Sequence, residues 1–111
     1  MSYIIKLSKL FKRNFKRLNK KYRSRERDVD FCVNQLSANP HIGADLGNGV
    51  RKVRMAISDK GKGKSGGARI ITYTIDIDDE SGVVTLLTIY DKSEQDSISN
   101  NEIAQLLDSI D

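Results

Sequence analysis

Three stretches of the chain repeat apolar residues at helical spacing. Over residues 9–22 apolar side chains recur at three- and four-residue steps, which predicts an amphipathic helix with one buried face. A second helix is predicted over residues 24–38, where Asn39-Pro40 ends it. A third follows Ser99, whose spacing to Glu102 is typical of a capping box. The first two helices are expected to form a hairpin.

Four other segments have the composition of β-strands. An opening strand is predicted over residues 3–8, and three more over residues 50–57, 68–76 and 83–90. The strand 50–57 alternates, so that its two faces carry different side chains: Val53, Met55 and Ile57 on one, Lys52, Arg54 and Ala56 on the other. Residues 41–49 are rich in glycine and turn formers and are predicted to be a loop. Short connections make the three late strands antiparallel, with a hairpin turn over residues 78–82.

The order β-α-α-β-β-β-α predicts an α+β fold, an antiparallel sheet backed by the helical hairpin and by the last helix. With 111 residues, the chain is expected to form one domain over residues 1–111. No stretch approaches the roughly 20 apolar residues that a membrane span needs, and charge interrupts the first residues too early for a signal peptide. The expected location is therefore the cytoplasm, with no membrane partner.

Charge is distributed very unevenly along the chain. Residues 1–30 carry 11 Lys or Arg against three acids, and residues 51–69 carry seven against one, whereas residues 76–111 carry ten acids and one Lys. Such a polarised field favours a polyanionic partner, which on charge alone is a nucleic acid, an anionic membrane or an acidic protein. The cations of the first helix, among them Lys12 and Lys16, are candidates for contact with an RNA backbone. A solvated face and lysine stems covering the edge of the core are the alternatives.

Cys32 and His41 are the chain's only cysteine and histidine, and they do not form a ligand set of the usual zinc spacing. No metal and no cofactor is expected. Cys32 lies in an apolar series of the second helix and is predicted to fill the core. His41 follows Pro40 in the Gly-rich connection, where an exposed loop histidine and a catalytic acid are the two interpretations.

Between two predicted strands, residues 59–69 form a segment of lysine and glycine. Its Gly63-Lys64-Ser65 invites comparison with a phosphate-binding P-loop, but Ser58 stands where that motif needs a glycine, and a strand follows instead of a helix. A bound nucleotide cofactor is therefore not expected. What remains is a cationic loop carrying Lys60, Lys62 and Lys64, whose glycines let the backbone approach a phosphate closely.

Residues 51–94 resemble a known family. Arg-Lys-Val-Arg, then Gly-Lys-Gly-Lys-Ser-Gly-Gly-Ala-Arg-Ile-Ile, then Leu-Leu-Thr-Ile-Tyr-Asp-Lys-Ser-Glu are similar to the HigB-like branch of the RelE/ParE toxin superfamily. The helices on either side agree with it in order and approximate length. The resemblance implies a strongly twisted sheet and a toxin of a type II toxin-antitoxin system. RelE and HigB members cut messenger RNA on the ribosome, whereas ParE members share the fold but poison DNA gyrase.

By this resemblance, Arg69 corresponds to a phosphate-stabilising arginine, and Tyr90 and Lys92 correspond to late active-site residues. Lys52 and Arg54 match a cationic strand, and Lys62 and Lys64 match the Gly-Lys-Gly-Lys element. One of these four is the candidate base or backbone clamp. Some relatives have a histidine or a second arginine near the position of Lys92, which leaves the general acid open. Tyr90 as a core-edge aromatic is the structural alternative.

The chemistry itself requires no metal, because RNA carries its own nucleophile in the 2′-hydroxyl. A cationic array can take that proton if crowding among like charges lowers the pKa of one lysine. The expectation is a ribosome-dependent, metal-independent endoribonuclease that binds messenger RNA and the ribosome and is neutralised by a cognate antitoxin. A ParE-like gyrase inhibitor and a nucleic-acid-binding module without catalysis are the alternatives.

Overall fold

The computed structural model describes residues 2–22, 25–61, 63 and 66–110. Three helices and five strands follow one another in these ranges, together with a short 3-10 turn at Ser58–Lys60. They are β1 (Ser2–Leu7), α1 (Lys9–Lys21), α2 (Arg25–Ala38), β2 (Ala44–Gly47), β3 (Val50–Met55), β4 (Ala68–Asp76), β5 (Ser81–Asp91) and α3 (Asn100–Asp108). The predicted α+β class is confirmed. Ser24, the predicted start of the second helix, lies outside the described residues.

The strands form one sheet in the order β1-β5-β4-β3-β2. The pairs β3 with β4 and β4 with β5 are antiparallel, as predicted, but β1 lies parallel to β5, so the sheet is mixed rather than wholly antiparallel. Leu87 is an extra residue in β5, because Ile71 pairs with Thr88 and Thr72 with Leu86. Such a bulge bends a strand and increases its local twist.

Two predicted boundaries in the middle of the chain are wrong. Strand β3 ends at Met55 rather than at residue 57, because the chain leaves the sheet and turns at Ser58. Within the predicted loop 41–49, residues 44–47 form the exposed edge strand β2, antiparallel to β3. Gly47, Asn48 and Gly49 all have positive φ, which closes the tight turn that brings β2 back along β3.

Each face of the sheet has its own apolar core. Helices α1 and α2 bury Phe11, Leu18 and Leu36 against one face, together with Cys32, which is 2% exposed and fills the core as predicted. Helix α3 packs its inner side chains on the opposite face, around Leu106. The predicted capping box is present at its start, since the Glu102 amide donates to Ser99 Oγ and the Ser99 amide donates to the Glu102 carboxylate.

Helix α1 continues along β5 beyond the point where β1 ends. The Ser8 hydroxyl caps α1 by accepting from the Phe11 amide at 3.0 Å, and it donates to the Leu87 carbonyl at 2.8 Å. Six residues after Ser8, the side-chain amide of Asn14 (Nδ2) donates to Thr88 Oγ1 at 2.8 Å. The last five residues of β5 are thereby held against α1. None of the helices in the described ranges combines the length and the apolar character that a membrane crossing needs.

Candidate functional site

Arg54, Arg69 and Tyr90 form a row across three neighbouring strands. In the sheet register Arg54 is opposite Arg69, and Arg69 is opposite Tyr90. Directly opposite residues have Cβ atoms roughly 4.5–5.5 Å apart and point to the same face. This is the face that carries α3, because Val53 and Ile70, the neighbours along the strands, lie in the core of the other face. The structure therefore brings together three of the residues that the resemblance selected.

The two arginines of the row differ in exposure. Arg69 is 3% exposed, and its Nη1 donates to the Ala68 carbonyl at 3.1 Å, whereas Arg54 is exposed. Like charges directly opposite each other in a sheet are destabilising. One buried and one exposed arginine at opposite positions of the sheet could both bind the same anion.

Tyr90 is 6% exposed, and its hydroxyl is buried without a hydrogen bond to any residue that the structure describes. Burial raises the pKa of the phenol above its ordinary value near 10; the Arg69 guanidinium opposes this rise, whereas Glu102 and Asp96 add to it. The phenol therefore keeps its proton at neutral pH, which makes Tyr90 a hydrogen-bond and proton donor.

Lys92 and Lys52 border the row. Lys92 follows β5 directly, and its amide donates to the Gly67 carbonyl at 3.0 Å. Its Nζ lies 3.6 Å from Asp96 Oδ1, and its side chain is 37% exposed. Lys52 is opposite Ile71, on the same face as the row and one step along the sheet.

The predicted lysine loop begins and ends beside the row, because Met55 and Ala68, which flank it, are opposite each other in the sheet. Lys62 and Lys64 lie outside the described residues, and so does the side chain of Lys60. The start of the loop is fixed by Asp28. This buried carboxylate accepts from the Ser58 hydroxyl at 2.5 Å and from the Ser58 amide at 2.9 Å.

A second buried carboxylate, Asp91, fixes the turn that follows Tyr90. Its Oδ1 accepts from the amide and the hydroxyl of Ser93, at 3.0 and 2.8 Å, and its Oδ2 accepts from the Tyr22 hydroxyl at 2.9 Å. Lys21 Nζ lies 3.5 Å from Oδ2 and 2.8 Å from the Glu94 carboxylate. The hydrogen bond to Glu94 raises the pKa of Lys21. The end of α1 is thus tied to the segment that carries Tyr90 and Lys92.

Asp28 and Asp91 were not among the residues that the sequence singled out. For Asp28 a signal exists, because it precedes Cys32 by four residues and Leu36 by eight, which places its carboxylate on the buried face of α2. Asp91 directly follows the nearly continuous apolar run of β5, a weaker indication of burial.

The cations of α1 lie on two strips along the helix. Lys9, Arg13 and Arg17, four residues apart, line a cleft of about 620 Å³ between α1 and α3, beside Tyr90. The predicted RNA contacts Lys12 and Lys16 are exposed on a neighbouring strip of the helix and do not line this cleft. The sequence pattern does not distinguish the two strips of α1, because both consist of Lys and Arg.

His41 lies far from the row. Its Nε2 is 2.8 Å from Asp76 Oδ1, and its ring makes an edge contact with Tyr3. Asp76 and Arg69 are seven residues apart in β4, which is roughly 23 Å along a strand. His41 is therefore not part of this row, and its environment is that of an exposed loop histidine. Nowhere in the described part of the chain do three or more His, Cys, Asp or Glu side chains come close enough together to hold a metal ion.

Two comparisons with known proteins bear on this site. A sequence profile of the family described as "RelE toxin of RelE / RelB toxin-antitoxin system" matches residues 8–109. Among solved structures, the fold is similar to that of an arginine double mutant of the Escherichia coli toxin RelE in the free state, with a TM-score of 0.57 and 14% sequence identity. That superposition covers 99% of this chain and 95% of the other. At this identity the likeness establishes a shared fold.

Proposed function

The chain belongs to the RelE toxin family of toxin-antitoxin systems, and we propose that it is a ribosome-dependent endoribonuclease that cuts messenger RNA and thereby inhibits translation. A toxin of such a system has an antitoxin as its partner. The ribosome and messenger RNA are the further partners of the proposal, and the cytoplasm, where they meet, is the proposed location. The similarity of residues 51–94 to HigB favours that branch of the family.

The observation that carries the proposal is the row of Arg54, Arg69 and Tyr90 across β3, β4 and β5. Two arginines at opposite positions of the sheet can both bind one anion, and a neutral phenol at the end of the pair adds a proton donor. A phosphodiester of RNA supplies the anion, and its leaving oxygen needs a proton when the RNA is cut. This combination supports RNA cleavage over mere attraction of RNA.

The proposed reaction is an in-line attack by the 2′-oxygen on the adjacent phosphorus. The bond from phosphorus to the 5′-oxygen breaks as the new bond forms, which leaves a 2′,3′-cyclic phosphate and a 5′-hydroxyl. Arg69 and Arg54 stabilise the charge that develops on the phosphorane oxygens. Tyr90 gives its proton to the departing 5′-oxygen, since a phenol is protonated at neutral pH.

The group that takes the 2′-proton is proposed to be Lys52, which borders the row, or Lys64 of the lysine loop. Lys60 and Lys62 are proposed as backbone clamps, with Lys92 as a further contact to the phosphate. Lys12 and Lys16, exposed on α1, are proposed contacts to RNA outside the cut. All steps of this mechanism use side chains of the chain itself.

The test is cleavage of a defined message on programmed ribosomes by purified, antitoxin-free protein. We expect cut RNA with 5′-hydroxyl ends, and a loss of about 10²- to 10⁴-fold in rate for Tyr90→Phe and Arg69→Gln. Tyr73→Phe is the matched control for the phenol, because Tyr73 belongs to the core under α3. Arg51→Gln is the control for the arginine, because Arg51 is opposite Thr72 and points to the other face.

Intact message with folded protein would refute the proposal. Inhibition of gyrase supercoiling by the same preparation would then favour the ParE-like alternative. RNA binding that Arg69→Gln leaves unchanged, without cleavage, would favour a nucleic-acid-binding module.

A further inference from the structure

The cleft between α1 and α3 is separate from the row but meets it at Tyr90. Strand β5 contributes Thr88 and Tyr90 to its lining, whereas Arg54 and Arg69 lie outside it. Thr88 and Tyr90 are two residues apart in β5 and share a face of the sheet. A strand of RNA with a phosphate on the row therefore has its neighbouring nucleotide beside this cleft.

The walls of the cleft differ in chemistry. Helix α1 contributes the cations Lys9, Arg13 and Arg17, whereas α3 contributes Gln105, Ser109 and one carboxylate, Glu102, which also closes the capping box with Ser99. Apolar residues lie between them: Leu10, Ile98 and Leu106. A nucleotide needs this combination, because its base stacks on apolar or aromatic side chains, its edge bonds to amides and hydroxyls, and its phosphate pairs with arginine.

The size of the cleft suits a nucleotide. Ligand sites for small molecules enclose roughly 300–1,000 Å³, and the cleft encloses about 620 Å³. An α-helix about 10 Å wide would fill that volume within about 8 Å, or about five residues. A helix of ordinary length would therefore extend beyond the cleft.

We propose that this cleft binds one nucleotide of the RNA, next to the phosphate on the row, and that Gln105 reads the edge of its base. In identifying the ligand as substrate RNA, the inference rests on the proposed function. Tyr90 lines the cleft and is opposite Arg69, so it lies where the two sites meet. Arg13 and Arg17 hold the phosphate on the far side of the base.

The experiment is an NMR titration of the full-length protein with the four ribonucleoside monophosphates and, as a probe without a base, ribose 5-phosphate. We expect shifts at residues of the cleft and affinities that differ among the four bases. Arg13→Gln with Arg17→Gln should weaken binding about ten-fold, since each exposed ion pair contributes up to about 1 kcal/mol. Gln105→Ala should reduce the differences in affinity among the four nucleotides while changing their mean affinity little.

Two control variants match these changes. Lys6→Gln with Lys20→Gln removes the same two charges from exposed positions outside the cleft, and it should leave the affinities within about two-fold. Gln35→Ala removes an exposed helical glutamine on α2 and should leave the base preference unchanged. Equal weakening by both double variants would mean that net charge, not the cleft, attracts nucleotides, and this would overturn the inference.

Other results would also test the proposed nucleotide site. Ribose 5-phosphate binding as tightly as every nucleotide would overturn base reading. A glutamate-rich peptide that shifts the cleft residues when no nucleotide does would overturn the inference in favour of a protein ligand. On programmed ribosomes, Gln105→Ala should change the relative cutting of codons. Base-dependent nucleotide binding by a protein that never cuts RNA would leave the cleft intact and refute the nuclease alone.

Discussion

Replacing Asp91 with Ala tests how the site is held together. The Asp91 side chain is 1% exposed, and its carboxylate accepts hydrogen bonds from the Ser93 amide, the Ser93 hydroxyl and the Tyr22 hydroxyl. Hydrogen bonds to a charged group contribute about 1.5–3 kcal/mol each, and a buried donor left unpaired costs about 1–3 kcal/mol. Lys21 is half-exposed and adds less than about 1 kcal/mol.

These contributions are not additive, because removing the carboxylate also removes its own desolvation cost. We therefore expect Asp91→Ala to lower the free energy of unfolding by about 3–4 kcal/mol. Asp91→Asn keeps an oxygen for Ser93 and should cost about 1–2 kcal/mol. Unfolding in urea, followed by circular dichroism, measures both values. An unchanged slope of the free energy of unfolding against urea concentration shows that both variants unfold from the same compact state.

Two further variants make this measurement specific. Asp96→Asn removes an exposed carboxylate a few residues away and should change stability by less than about 0.5 kcal/mol. A double-mutant cycle of Asp91→Ala with Tyr22→Phe should give a coupling of about 1 kcal/mol, because the two side chains share a hydrogen bond. An Asp91→Ala protein as stable as the parent would refute this account of the joint between α1 and β5.

Three other predictions concern the fold around the site. The hydrogen bond to Asp76 raises the pKa of Tyr3 from near 10 to about 12. The unfolded chain therefore loses this proton at a lower pH than the folded protein does, so the free energy of unfolding should fall as pH rises from 10 towards 12. Tyr3→Phe should flatten that part of the pH profile. Asp28→Ala should cost about 1–3 kcal/mol and speed hydrogen exchange at the Ser58 amide, which loses its acceptor; unchanged exchange would contradict the anchoring role. Gly67→Ala should cost at least about 2 kcal/mol in thermal unfolding, because an added Cβ would lie 2.0 Å from a carbonyl oxygen of β3.

Local patterns were sufficient to predict most of the elements. The apolar periodicity of residues 9–22 and the capping box at Ser99 act within a few residues of chain, and both helices form as predicted. The strand β2 was missed because Ala44-Asp45-Leu46-Gly47 is only four residues long and has no β-branched or aromatic residue. It is held by its turn and by pairing with β3.

Pairing partners and register are tertiary properties, and the sequence left them open. Nothing local indicates that β1 runs parallel to β5, about 80 residues away. Arg54, Arg69 and Tyr90 were selected through resemblance, but their alignment depends on register, and a slip of one residue would send one of them to the other face. The cleft cations Arg13 and Arg17 were indistinguishable from Lys12 and Lys16 because the position of α3 decides which strip is covered.

The parallel pairing of β1 with β5 has a consequence for how the protein is made. Strand β5 occupies the sheet between β1 and β4, and among the described residues it is the only strand beside the edge strand β1, which therefore has no pairing partner until β5 has been synthesised. Contacts of such long sequence separation form late and slow folding. A nascent chain therefore passes most of its translation without a complete row of Arg54, Arg69 and Tyr90. The row is therefore complete only after most of the chain has been synthesised.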